Sequence, residues 1–242
     1  MRYKCTCRYD GSQFHGFQIQ KNARSVQAEI ENALLLVFKK PTPIYPAGRT
    51  DTGVHALGQV FHFNADLEIN TANLKNAINS RLPGDVYVSE IETVDESFHA
   101  RYSAKSKEYH YIIDFGSYNP LFRNYRYYCK YRRVDYRLFA EALKLFVGRH
   151  DFRYFSRAKK TENTVREIYR VSVEREGDAL RIIIVGNGFL HNMIRIMIAT
   201  ALEVARGRKT MDDIRASLTG ETPLTAPKKL PPNGLYLMKI AY

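Results

Sequence analysis

The densest group of chemically capable residues in the chain is Gly48-Arg49-Thr50-Asp51-Thr52-Gly53-Val54-His55-Ala56. Two glycines bracket an Arg-x-Asp pair, just ahead of a strand-like run over residues 59–63. Glycine permits backbone geometry that exposes a carboxylate, and Arg49 close by favours the ionised form of Asp51. An ionised, oriented aspartate acts as a nucleophile or as a base. The same residues also suit an Asx-turn with a local salt bridge, a purely structural use. Residue types alone leave both uses open.

Charge narrows the kind of partner. Lys and Arg number 37 against 25 Asp and Glu, a formal net charge of +12. Residues 101–160 hold 15 basic and 5 acidic side chains, a net +10, together with 10 of the 17 tyrosines. Basic groups neutralise phosphates and aromatic rings stack on unpaired bases, so their interleaving suits a nucleic-acid surface. A solvated basic face over core tyrosines is the plainer alternative.

The remaining groupings are weaker. Gly186-x-Gly188 lacks the third glycine and the full strand-to-helix setting of a dinucleotide fingerprint, and residues 48–53 lack the Gly-Lys-Ser/Thr ending of a phosphate-binding loop. His55, His62, His99 and His191 match no zinc-protease or zinc-deaminase spacing, which leaves them to packing or RNA contact. Cys5, Cys7 and Cys129 are an odd set without framework spacing, and zinc would want four ligands. Cys5 and Cys7 read as core thiols on one strand face. No metal and no nucleotide or redox cofactor is expected. The chain opens Met1-Arg2-Tyr3-Lys4, already strand-like rather than a targeting signal. The most apolar stretch, residues 193–205, is interrupted by Arg195 and Glu203 and is too short to span a bilayer. A soluble, cytoplasmic protein without membrane contact is the expectation.

These residues need elements to position them. Residues 2–9 alternate as a strand ending in the turn Asp10-Gly11-Ser12. Ser25 can cap a helix with Val26, Ile30, Ala33, Leu34 and Val37 inward, ended by Pro41 and Pro43. Thr71 can cap a second, and a strand follows around Val86 and Val88. In the second half Tyr109, Tyr111, Ile113 and Phe115 alternate on a strand. Leu138, Ala142, Leu145 and Phe146 mark a helix that Gly148 can end. Two strands near 168–175 and 180–185, a long helix from Leu190 to Ala205, a helix near 211–218 and a strand over 235–240 complete the chain. The order predicts an α+β fold of two similar halves, 1–104 with the Asp loop and 105–242 with the Tyr strand and Arg helix. They would share a largely antiparallel central sheet, with an active-site cleft between them.

Whole motifs add a resemblance. The nonapeptide at 48–56 resembles the active-site motif of TruA-type tRNA pseudouridine synthases. Tyr9-Asp10-Gly11 with Phe14-His15-Gly16-Phe17-Gln18-Ile19-Gln20 is similar to that family's opening segment, and Ser25-Val26-Gln27 to the start of its first helix. Phe98-His99-Ala100-Arg101-Tyr102-Ser103-Ala104 and Lys107-Glu108-Tyr109-His110-Tyr111 resemble the segment carrying its active-site tyrosine. Gly186-Asn187-Gly188-Phe189-Leu190-His191-Asn192-Met193-Ile194-Arg195 and Gly234-Leu235-Tyr236-Leu237 resemble its later helix and closing strand. Ala199 stands where a glycine is common, and the segment 226–233 looks longer and more basic than usual.

The resemblance implies isomerisation of uridine to pseudouridine in the anticodon arm of tRNA, at or near positions 38 to 40, by a homodimer. It implies Asp51 as the essential carboxylate, by covalent attack on C1′ or by assisting a glycal intermediate. It implies Tyr109 packed on the target uracil, Arg195 paired with the aspartate, and Arg49 assisting nucleotide flipping. Two other functions compete: a non-catalytic RNA-binding module, which leaves the Gly-Arg-x-Asp loop without a purpose, and a base-excising glycosylase, which needs an activated water.

Overall fold

Alternation in Arg2–Tyr9 (β1) buries Tyr3, Cys5, Cys7 and Tyr9 on one face, so the two cysteines are core thiols. The computed structural model describes residues 1–131, 133–157, 163–220, 222–223 and 228–242. Two compact units divide them, Met1–Lys107 with Tyr236–Tyr242, and Glu108–Leu235. Each is of mixed α+β build.

In the first unit, β1 pairs antiparallel with both β3 (His55–Asn64) and β4 (Val86–Val94). The short β2 (Tyr45–Pro46) lies on β3. The closing strand β10 (Leu235–Ala241) runs parallel to β3, Tyr236 opposite His55, which is why the last seven residues count with this unit. α1 (Val26–Phe38) starts at Ser25, whose side chain accepts from Ala28 N, and buries Val26, Ile30, Ala33 and Leu34. It stops before the prolines, at Lys39 in the left-handed conformation. α2 (Thr71–Asn79) is capped by Asn70, whose amide oxygen accepts from Ala72 N and Asn73 N, one residue earlier than expected. Asparagine is as good a cap as threonine, and it stands at the non-helical position.

In the second unit the strand order is β5 (Ser106–Asp114), β9 (Ala179–Gly186), β8 (Val165–Glu176) and β7 (Gly148–Asp151). β8 pairs antiparallel with β7 and β9, and β6 (Tyr127–Tyr128) lies parallel on β5. α3 (Tyr136–Lys144) buries Phe139, Ala142 and Leu143; Leu138 and Leu145, expected inside, are only half-buried. The helix ends at Leu145, and Gly148 begins β7. α4 (Met193–Ala205) is buried on nearly every face, Arg195 included, and Leu190 precedes it. α5 (Met211–Thr219) carries a capping box between Thr210 and Asp213. Among the described residues no helix is long and apolar enough to cross a membrane.

His62 on β3 is buried and stacks on Tyr45, and its Nδ1 accepts from Ala100 N at 3.2 Å. Burial first, then His99 and Arg2 nearby, pushes it down to about 4. The unfolded chain protonates near 6.5, so the neutral ring contributes stability fully present above that value and lost as pH falls through about 4. The melting temperature should therefore decline between pH 6.5 and 4, and His62→Gln should flatten that decline while lowering stability at pH 7.5. An equally steep decline in the variant would remove His62 as its source.

Candidate active site

Asp51 sits half-buried at a tight turn just before β3, with Asp51 O accepting from Val54 N at 3.2 Å. The connection between β1 and α1 holds that turn from behind. Gly11 lies so close that a Cβ there would be 2.0 Å from Val54 O. Gly16, at φ +96°, would place a Cβ 2.8 Å from Thr50 O. Hydrogen bonds follow the contact: Phe17 N donates to Thr50 O at 3.2 Å and Gly53 N to Phe14 O at 3.3 Å. Gly11 N donates to His55 Nδ1 at 3.1 Å, and the His55 ring stacks on Tyr236. The buried Tyr9 hydroxyl is hydrogen-bonded to Thr50 Oγ1 at 2.8 Å. On the other side of the loop, Gln59 donates to Gly48 O and the Lys107 ammonium to Ala47 O.

The connection is itself clamped. Asp10 takes Ser12 N and hydroxyl on one carboxylate oxygen. The Arg24 guanidinium covers the Phe14 ring at 4.3 Å and grips Asp85 through two bonds of 2.6 and 2.9 Å. Arg49, two residues before Asp51, is exposed. Arg49 and Asp51 thus share one braced loop of the first unit.

Tyr109 and Arg195 belong to the second unit. Tyr109 is buried on β5, its ring edge-on to Phe189 at 5.2 Å. Arg195 is buried among the apolar residues of α4, where an unpaired guanidinium would be costly. Its Nε donates to Leu230 O at 2.7 Å and its Nη1 to Asn192 Oδ1 at 3.0 Å, while Leu230 N donates back to Arg195 O. Asn192, at φ +61°, caps the helix in the left-handed conformation. Tyr111 donates to Pro231 O at 2.7 Å, and burial raises its phenol against the opposing field of Arg195. Of the segment 226–233, residues 226 and 227 lie outside the described residues.

The basic, tyrosine-rich window divides. Tyr102, Tyr118, Tyr125, Tyr131 and Tyr136 are exposed, whereas Tyr109 and Tyr111 are core. Arg101 lies over the Tyr102 ring, Arg126 over Phe122 and Arg206 over Tyr131. The window therefore holds both surface and core tyrosines.

Known proteins settle the kinship. A sequence profile of the family described as tRNA pseudouridine synthase matches residues 6–103 and 142–242. The tRNA pseudouridine synthase A of Anoxybacillus flavithermus is 44% identical over 243 residues, covering 100% of this chain and 98% of the relative. That of a Geobacillus species is 42% identical over 244 residues, with 100% and 98% covered. That of Limosilactobacillus fermentum is 44% identical over 249 residues, with 100% and 96% covered. This chain belongs to the tRNA pseudouridine synthase family.

Family membership makes the cradle behind Asp51 the feature that sequence reasoning left unread. Tyr9, Gly11, Gly16 and Phe17 belong to the opening motif, whose residues do not say that its partner is the loop at 48–54. Their glycines were the available signal, since a glycine in a short turn permits close backbone approach. His55 and His62 are packing residues, both buried. Gly11→Ala should displace the Asp51 turn, because the added carbon meets backbone rather than a movable side chain. A loss of about 1–3 kcal/mol in urea unfolding is expected, with catalysis lost beyond the unfolded fraction. Parental stability and turnover would show the contact to be slack.

Proposed function

We propose that this chain isomerises uridine to pseudouridine in tRNA, with Asp51 as the catalytic carboxylate. The observation that carries the proposal is Asp51 itself, half-exposed at the apex of a loop braced from both sides, in a chain of this family. In the proposed reaction the C1′–N1 bond breaks, the uracil turns, and C1′ joins C5. N1 gains a proton and C5 loses one, so atoms balance without an oxidant, a reductant or a water. Asp51 serves by attack on C1′ or by assisting a glycal intermediate. Tyr109 packs against the target uracil, Arg195 pairs with Asp51, and Arg49 assists in drawing the nucleotide from its stack. These three assignments rest on the motif resemblance. They need the halves 1–104 and 105–242 to share a sheet and bound a common cleft.

The targets we assign are anticodon-arm uridines at positions 38, 39 and 40, or a subset of them. The motif resemblance also supports a homodimer acting in the cytoplasm, where tRNA is matured. Exposed tyrosines and cation-covered rings in the basic window support an RNA surface, with arginine and lysine neutralising phosphates.

Asparagine has the shape of aspartate without its charge or basicity, so Asp51→Asn isolates the chemistry. The variant should fold and bind tRNA within about tenfold of the parent, about 1.4 kcal/mol. It should release no tritium from tRNA labelled at uridine C5. Substantial release by folded Asp51→Asn would sink the assignment, and free uracil from the parent would favour base excision. Affinity for tRNA should fall by several orders of magnitude between roughly 50 and 500 mM salt, as counterion release requires. A flat salt response would remove the basic surface from the proposal.

A further inference from the structure

We propose that Tyr9 is a positioning residue for Asp51, acting through Thr50; this rests on the proposed pseudouridine synthase activity. Tyr9 ends β1 and is buried, and Thr50 is buried beside it. Their hydroxyls meet at 2.8 Å. The carbonyl of Thr50 is held separately by Phe17 N at 3.2 Å. The residue immediately before Asp51 is therefore tied at its side chain from β1 and at its carbonyl from the β1–α1 connection. The carbonyl tie orients the Thr50–Asp51 peptide and the side-chain tie anchors Thr50 itself, so together they set the direction in which the carboxylate leaves the backbone.

Packing alone does not require the hydroxyl. The Tyr9 ring lies 6.1 Å from Phe17 in the core, and a phenylalanine would fill that place equally well. The hydroxyl is what reaches the loop. Its loss leaves Thr50 free to turn about its side-chain bond while Phe17 still holds the carbonyl, so the loop stays folded but its carboxylate samples a wider range. Reactions at a single carbon tolerate such spread poorly, because a displacement of about an ångström costs on the order of a hundredfold in rate.

The test is a cycle of Tyr9→Phe, Thr50→Val and the double variant, with Thr50→Ser as the conservative control. Single-turnover tritium release at saturating enzyme, tRNA affinity and melting temperature are measured on each. Both single variants should slow release about tenfold, with tRNA affinity within about twofold of the parent. The double variant should also be slowed about tenfold rather than about a hundredfold, because both changes remove one bond. Thr50→Ser keeps the hydroxyl and should retain near-parental release even where the valine variant is too unstable to assay. Parental release by Tyr9→Phe, multiplied losses in the double variant, or a loss that follows the unfolded fraction would each overturn the proposal. A parent that releases no tritium sinks the proposed activity and this inference with it. A parent that turns over while Tyr9→Phe does so equally well sinks only the inference.

Discussion

The structure around Asp51 depends on one close approach of backbone to backbone. Gly11 meets the Val54 carbonyl and Gly16 meets that of Thr50, at separations that leave no room for a side chain. Everything else in the cradle follows from that contact. It brings Phe14 O to Gly53 N and Phe17 N to Thr50 O, and it places the Tyr9 hydroxyl on Thr50. An aspartate on an ordinary surface loop would wander among rotamers and backbone states. Here the loop is sandwiched between the β1–α1 connection and the side chains of Gln59 and Lys107. The arrangement keeps a hydrophilic carboxylate accessible on a rigid support, which is the condition for using it in chemistry.

A second constraint is the buried guanidinium of Arg195. Placing it on α4, amid methionine, isoleucine and alanine, carries a desolvation cost that only well-aligned partners offset. Leu230 O and Asn192 Oδ1 supply two of them, so the segment around Leu230 is tied to the helix. Tyr111 adds a bond to Pro231, and a Cβ added to Gly234 would lie 2.7 Å from Ile112 O and 3.0 Å from the Tyr111 ring. The approach to β10 is thereby stapled at consecutive residues.

The segments that resemble family motifs were legible in the sequence because each is short and contiguous. The nonapeptide at 48–56 and the run 186–195 need no long-range information to be recognised. Helix α1 was equally legible, since Ser25 is a strong cap beside apolar residues at helical spacing. The buried face of α3 was legible only in part, for Ala142 and Phe146 are buried as expected. Phe139 and Leu143 lie inside, with Leu138 and Leu145 at the boundary, because apolar residues at 138, 139, 142, 143, 145 and 146 allow two overlapping stripes. Packing against the rest of the unit chooses between them. The window 101–160 was ambiguous for the same reason, as a tyrosine stacks in a core or on a surface with the same side chain.

By itself the sequence determined the α+β class, the family and the loop that carries Asp51, all of which reside in local order and motif identity. Tertiary structure alone decided what holds that loop. Tyr9 and Thr50 are 41 residues apart, and Gly11 and His55 are 44 apart. Pairings at such separations leave no periodicity to read, since each partner is compatible with many others until the strands align. It also decided that the closing strand pairs with β3, because a parallel partner is selected by the geometry of an open edge and not by the strand's own residues.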